Sequence, residues 1–137
     1  MSGIKYLSGL QMAVMRVLWR QGEAAVAQVQ AALQGERSLA PTTIATVLSR
    51  LEESGLVAHR VEERRYVYRA LVTESQVRRS MVADLVDRLF QGDPSAMIDH
   101  LINESDVSAD DLAHIKALLK AKENDDKQGV KKANDAR

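Results

Sequence analysis

Ala40-Pro41-Thr42-Thr43-Ile44-Ala45-Thr46-Val47-Leu48-Ser49-Arg50-Leu51-Glu52-Glu53-Ser54-Gly55 reads as one helix with two faces. Pro41 suits the first helical position, because its fixed φ matches a helix and an N–H there would lack an intrahelical partner anyway. Gly55 suits the stop, since the residue just past a helix often turns left-handed. Ile44, Val47, Leu48 and Leu51 recur at i, i+3, i+4 and i+7, the period of a buried stripe. Thr43, Thr46 and Arg50 share the opposite side, with Thr42 and Ser49 beside them. Hydroxyls and methyls of this kind reach base edges in a major groove, and Arg forks onto guanine. An ordinary solvated face has the same composition, so the flanking sequence decides between the two.

Upstream, Ser8 and Gln11 have capping-box spacing and open a first helix. Its stripe of Leu10, Val14, Val17 and Leu18 is widened by Met15 and by Trp19, expected in the core, and it ends at Gln21-Gly22. Residues 23–25 leave room only for a bridge of strand. Val26, Val29, Ala32 and Leu33 give a second short helix closed by Gly35, and residues 36–39 form a turn. Two short helices in tight succession, the second polar outside, make a helix-turn-helix, with a recognition helix at about 41–54. After Gly55 the period drops to 2. Residues 56–61 read as a strand, 62–64 as a turn and 65–70 as the return strand. Arg60, Arg64, Arg65 and Arg69 gather there. A basic hairpin directly after such a helix reads as a wing, residues 56–70, with Arg60, Arg64 and Arg65 on phosphates; arginines kept for solubility are the plain alternative.

Thr73 and Gln76 repeat the capping box and start a long helix to about residue 90. Val77, Met81, Val82, Leu85, Val86, Leu89 and Phe90 make its apolar stripe too wide to bury on one side. Asp93-Pro94 starts a helix carrying Met97, Ile98, Leu101 and Ile102. Ser108 caps a last one carrying Leu112, Ile115, Leu118 and Leu119. This apolar excess predicts a homodimer, joined through Met81, Leu85, Leu89, Met97, Leu101, Leu112, Ile115 and Leu119. Residues 122–137 are polar and charged, and the expectation is a disordered tail. The chain thus divides into a winged helix-turn-helix at 1–72, a helical dimerisation region at 73–121 and the tail. The fold class is mostly α with a small β-hairpin.

Composition sets the outer limits. A length of 137 residues suits one domain or two small ones. Apolar residues make up 45% but aromatics only 4%, so the core is aliphatic. Residues 1–70 hold nine Lys/Arg against six Asp/Glu, and residues 71–137 hold ten against thirteen, a basic front and an acidic back. With no cysteine there is no disulfide framework and no thiolate metal site. No signal peptide and no run of 18 apolar residues is present, so no membrane insertion and a cytoplasmic location are expected. His59, His100 and His114 fall in three different elements, so no metal or other cofactor is expected. No phosphate loop or nucleophile elbow occurs, and the adjacent acid pairs point to different faces, so the chain is expected not to be an enzyme.

The order of elements resembles the penicillinase repressors of the BlaI/MecI/CopY type. The marks lie across residues 6–119: Leu7-Ser8, Val14-Met15, Leu18-Trp19, then Pro41, Thr43-Ile44, Thr46, Leu48 and Arg50-Leu51, then Gly55-Leu56, Arg65-Tyr66-Val67-Tyr68 and Phe90-Gln91-Gly92. The resemblance implies a homodimer that represses from a dyad-symmetric operator on double-stranded DNA. It further implies a membrane metallopeptidase sensor, acting indirectly, that induces by cleavage within the dimerisation region, which aligns near His100-Leu101. The chain departs from the pattern in having no cysteines for a copper switch. Thr42 and Ala45 stand where well-known members carry lysine and arginine, Ala40 where serine is common as the cap. Two rival readings are a winged-helix regulator responding to a small ligand and a winged helix used only for protein interaction. Few aromatics are available to line a ligand pocket, and steeply salt-dependent DNA binding would exclude the protein-only reading.

Overall fold

The computed structural model describes the backbone of residues 6–135 and the side chains of residues 6–128. The first helix, α1 (Gly9–Gln21), starts where the Ser8 hydroxyl accepts from the Gln11 N–H at 3.1 Å and the Gln11 side chain accepts from the Ser8 N–H at 2.9 Å. It stops at Gly22, whose φ of 85° is open to glycine because it has no Cβ. Val14, Met15, Val17 and Leu18 are at most 1% exposed, so α1 is the central helix of the core. Helix α2 (Val26–Leu33) adds Val29 and Leu33, and α3 (Pro41–Glu53) adds Ile44, Leu48 and Leu51, each wholly buried in α3. Each such aliphatic burial contributes roughly 1.5–3 kcal/mol. The stripe read from the sequence therefore fixes which side of α3 faces out.

Residues 23–25 do more than bridge. They form β1 (Glu23–Ala25), which pairs antiparallel with β3 (Arg65–Ala70), itself paired with β2 (Val57–Glu62). The sheet order is β1-β3-β2, so the wing is a three-stranded sheet rather than a lone hairpin. Its turn is one residue tighter than expected, with Glu62 paired to Arg65 and only Glu63 and Arg64 between them. Their φ values of 51° and 68° are those of a two-residue type I′ turn.

Helix α4 (Glu74–Phe90) is capped by Thr73 as its sequence indicates. It does not begin a separate region. Val77 is wholly buried in the α1–α3 core, Met81 packs against that core, and the Trp19 Nε1–H donates to the Val72 carbonyl at 2.8 Å. The first compact unit accordingly ends at Gly92 and the second begins at Asp93, so the boundary lies 20 residues beyond the one expected at 72. The cause is the inner stripe of α4, which the helix-turn-helix needs to close its core.

The second unit holds α5 (Pro94–Glu104) and α6 (Ala109–Asp135). The tail expected to be disordered from residue 122 is instead helical as far as Asp135; residues 136–137 lie outside the described residues. A polar surface does not forbid a helix. The stretch has no proline, is rich in Ala, Lys, Glu and Gln, and holds an i, i+4 ion pair, Lys122 to Asp126 at 3.6 Å. Among the described residues, no helix is long and apolar enough to cross a membrane.

Candidate nucleic-acid interface

With Ile44, Leu48 and Leu51 buried, α3 turns Thr42, Thr43, Thr46, Ser49 and Arg50 outward, and all five are exposed. The helix is held on both flanks by α2 and β2, so this surface sits on a rigid support. Arg50, in the last turn, forms no ion pair among the described residues and suits the negative end of the helix dipole. The Thr46 hydroxyl donates to the Thr42 carbonyl at 2.9 Å. Its proton is therefore committed to the helix, and the side chain offers a partner its methyl group and oxygen lone pairs.

The wing brings together Arg64 and Arg65, exposed at its tip and free of ion pairs among the described residues. Arg60 is different. Its Nη2 lies 2.6 Å from Glu23 Oε1 and 2.8 Å from Glu62 Oε2, and its Nε donates to Glu23 Oε2 at 3.3 Å. The fork onto Glu23 holds that carboxyl below its ordinary range, and the bonds to Glu23 and Glu62 hold the guanidinium more firmly protonated. Arg60, expected on a phosphate, thus ties β2 to β1 across the sheet, with its charge balanced by two carboxylates. Of the three arginines expected on phosphates, Arg64 and Arg65 remain without an ion pair among the described residues.

A further cluster escaped the sequence reading. His59 Nδ1 lies 2.7 Å from both carboxylate oxygens of Glu52, a residue near the end of α3. The imidazole stacks on Tyr66, with ring centroids 4.0 Å apart and planes 17° from parallel. Tyr68 lies at 5.6 Å; burial first, then the charge of Glu52, pushes its phenol above the ordinary range. Seven residues separate Glu52 from His59, across a change from helix to strand, so no single periodicity reveals the pair.

The residues expected to dimerise lie on two surfaces. In the first unit, Leu85 and Leu89 are exposed beside half-buried Met81, and with Tyr6 they line a groove of about 250 Å³. In the second unit, Leu101, Ile115 and Leu119 line a groove of about 410 Å³ together with Ile98, Ile102 and Leu118. Leu112 is exposed and Met97 half-buried. His100 and Leu101 both lie exposed within α5. Among the described residues, no group of three or more acids and histidines could hold a metal ion.

An outward-facing hydroxyl and arginine surface on a helix-turn-helix, flanked by a cationic wing, defines a DNA-binding regulator of transcription. Comparison with known proteins makes the class particular. This chain belongs to the penicillinase repressor family, whose profile matches residues 7–121. It is 22% identical over 116 residues to the methicillin resistance regulatory protein MecI of Mammaliicoccus sciuri, covering 85% of this chain and 94% of that protein. It is 24% identical over 128 residues to the penicillinase repressor of Bacillus licheniformis, covering 93% of this chain and 100% of that protein. Among solved structures, the Bacillus licheniformis BlaI monomeric form in complex with the blaP half-operator is 32% identical, with a TM-score of 0.46, covering 53% of this chain and 89% of that one. The chain is thus a DNA-binding transcriptional repressor of the BlaI/MecI kind.

Proposed function

We propose that this repressor acts as a homodimer on a dyad-symmetric operator. Each α3 enters a major groove with Thr42, Thr43, Thr46, Ser49 and Arg50 toward the bases, and each wing sets Arg64 and Arg65 on the phosphate backbone. The observation that carries the DNA-facing part is the pairing of an exposed α3 surface with unpaired wing arginines on one rigid unit. The homodimer is supported by the second unit, where every described side chain remains at least partly exposed, including seven large aliphatic ones in its groove. Two helices without a buried residue lack the core that folding alone requires.

Release follows from loss of the dimer. Two half-sites held by one dimer gain on the order of a hundredfold to ten-thousandfold in avidity, which a monomer forfeits without any change to its DNA-facing residues. Cleavage near His100-Leu101 by a membrane metallopeptidase sensor's pathway would act in this way. The segment is helical, and a protease needs extended chain, but α5 has no buried residue to resist local unwinding. The activity is binding rather than catalysis, and no cofactor is assigned to it.

Footprinting on DNA upstream of the chain's own gene tests the reading. A protected stretch with dyad symmetry is expected, with binding that weakens steeply as salt rises. In Arg64→Ala/Arg65→Ala the slope of log K against log salt should flatten by about two units while base preference is kept. An unchanged slope would place the wing tip off the DNA.

A further inference from the structure

We propose that Glu52 and His59 form a brace that sets the angle of the wing against the recognition helix, making both of them positioning residues for operator binding. The two side chains join the two DNA-facing elements directly, since Glu52 belongs to α3 and His59 to β2. The contact is close and symmetric, with Nδ1 at 2.7 Å from each carboxylate oxygen, so one N–H points between the two acceptors. The pair is partly shielded, with side-chain exposures of 28% for His59 and 33% for Glu52, and water competes less than at a free surface. The far side of the link is also fixed. The imidazole lies flat on Tyr66, which is next to the tip residue Arg65 on β3. A chain of contacts thus runs from α3 through Glu52, His59 and Tyr66 to the strand that carries the wing's arginines.

The titratable groups facing the imidazole are Glu52 from α3 and Tyr66 and Tyr68 from β3. The brace therefore holds on one side by the contact with the Glu52 carboxylate and on the other by the flat stack on Tyr66. Glu52 and His59 need not touch DNA for this, because they act by presenting Arg64 and Arg65.

The proposal rests on the DNA-facing orientation described above, and the test separates the two. His59→Gln and Glu52→Gln are each made in the intact chain and in the Arg64→Ala/Arg65→Ala background. Binding to the footprinted duplex is measured against salt. In the wild type, removing the two wing arginines is expected to flatten the salt slope by about two units; in either brace variant the same removal should change it by less than about one. Hydrogen exchange in the DNA-free protein supplies an arm independent of any operator. Wing amides should exchange faster in both variants, with the α1 core unchanged. Full wing-dependent slopes in both brace variants overturn the positioning role even where DNA binding is confirmed. Unaltered wing exchange overturns the brace itself. An intact chain that binds no duplex overturns the surface reading and the aiming role with it.

Discussion

Thr46 illustrates how one internal hydrogen bond narrows what a residue can read. Its hydroxyl proton goes to the Thr42 carbonyl, so a base can meet only its methyl group or its oxygen lone pairs. If the methyl carries the contact, Thr46→Val should bind within about twofold of wild type, whereas Thr46→Ala should lose discrimination at one base pair. Arg50→Ala should cost roughly 1–3 kcal/mol at a single position, the range for a good base contact. A panel of single-base operator variants checks all three, and uniform losses across the panel would show that neither residue reads sequence. Arg60 teaches the complementary lesson. Its fork onto Glu23 lowers the Glu23 pKa, so this link stabilises the fold fully above the ordinary carboxylate value of 4.5 and is lost as pH falls through the lowered one. Glu23→Gln should therefore melt lower than wild type near neutral pH and match it in acid, as calorimetry across pH would read. Both groups are solvent-exposed, so the difference should be small.

The wing turn holds conformational strain at both of its central residues. Glu63 and Arg64 both sit at positive φ, where residues other than Gly, Asn and Asp are disfavoured by roughly 1–2 kcal/mol each. Asn-Gly is the preferred pair for this turn. Replacing Glu63 by Asn and Arg64 by Gly should stabilise the protein by about 1 kcal/mol or more in chemical denaturation, while weakening operator binding through the lost guanidinium. A destabilised variant would show that the tip's side chains support the fold in some other way. Helix α4 serves two sides in a different sense. Its Val77 completes the core of the first unit, while Leu85 at 41% and Leu89 at 69% exposure stay uncovered on the same helix. A stripe that wide is expected of a helix asked to close its own domain and to meet something else.

For the molecule as a whole, stability and operator affinity are expected to be coupled through subunit concentration. The first unit carries a continuous buried core from Leu7 to Val77, and the second carries none among its described side chains. Melting of the second unit should therefore shift to higher temperature as protein concentration rises, while the winged unit should unfold at a temperature independent of it. A chain ending at Asp99 keeps the winged unit and all of α4, but loses Leu101, Ile115 and Leu119. It should sediment as a monomer and bind the full operator on the order of a hundredfold or more weaker, with half-site affinity intact. A truncated chain that remains dimeric, or binds the full operator as tightly as the intact one, would sink release by dimer loss.

Much of this architecture is local and so was open to reading along the chain. The stripe from Ile44 to Leu51 orients α3, and the boxes at Ser8 and Thr73 start α1 and α4, because caps and periodicity depend on residues three or four apart. The outward set from Thr42 to Arg50 follows from that stripe alone. Helix α6 was legible as well, since helix-forming residues and an ion pair one turn apart support it past residue 122 even where its surface is polar. What depended on folding involves partners far apart in the chain or in different periodicities. Strand β1 is three residues long and exists through its pairing with β3. Arg60 meets Glu23 across 37 residues of sequence, a clasp within the sheet that no local pattern shows. Val77 joins a core whose other members come from α1, α2, α3 and the sheet, which moves the unit boundary to Gly92. Glu52 and His59 meet where a helix hands over to a strand, because Gly55 at a φ of 80° reverses the chain and sets β2 against the end of α3.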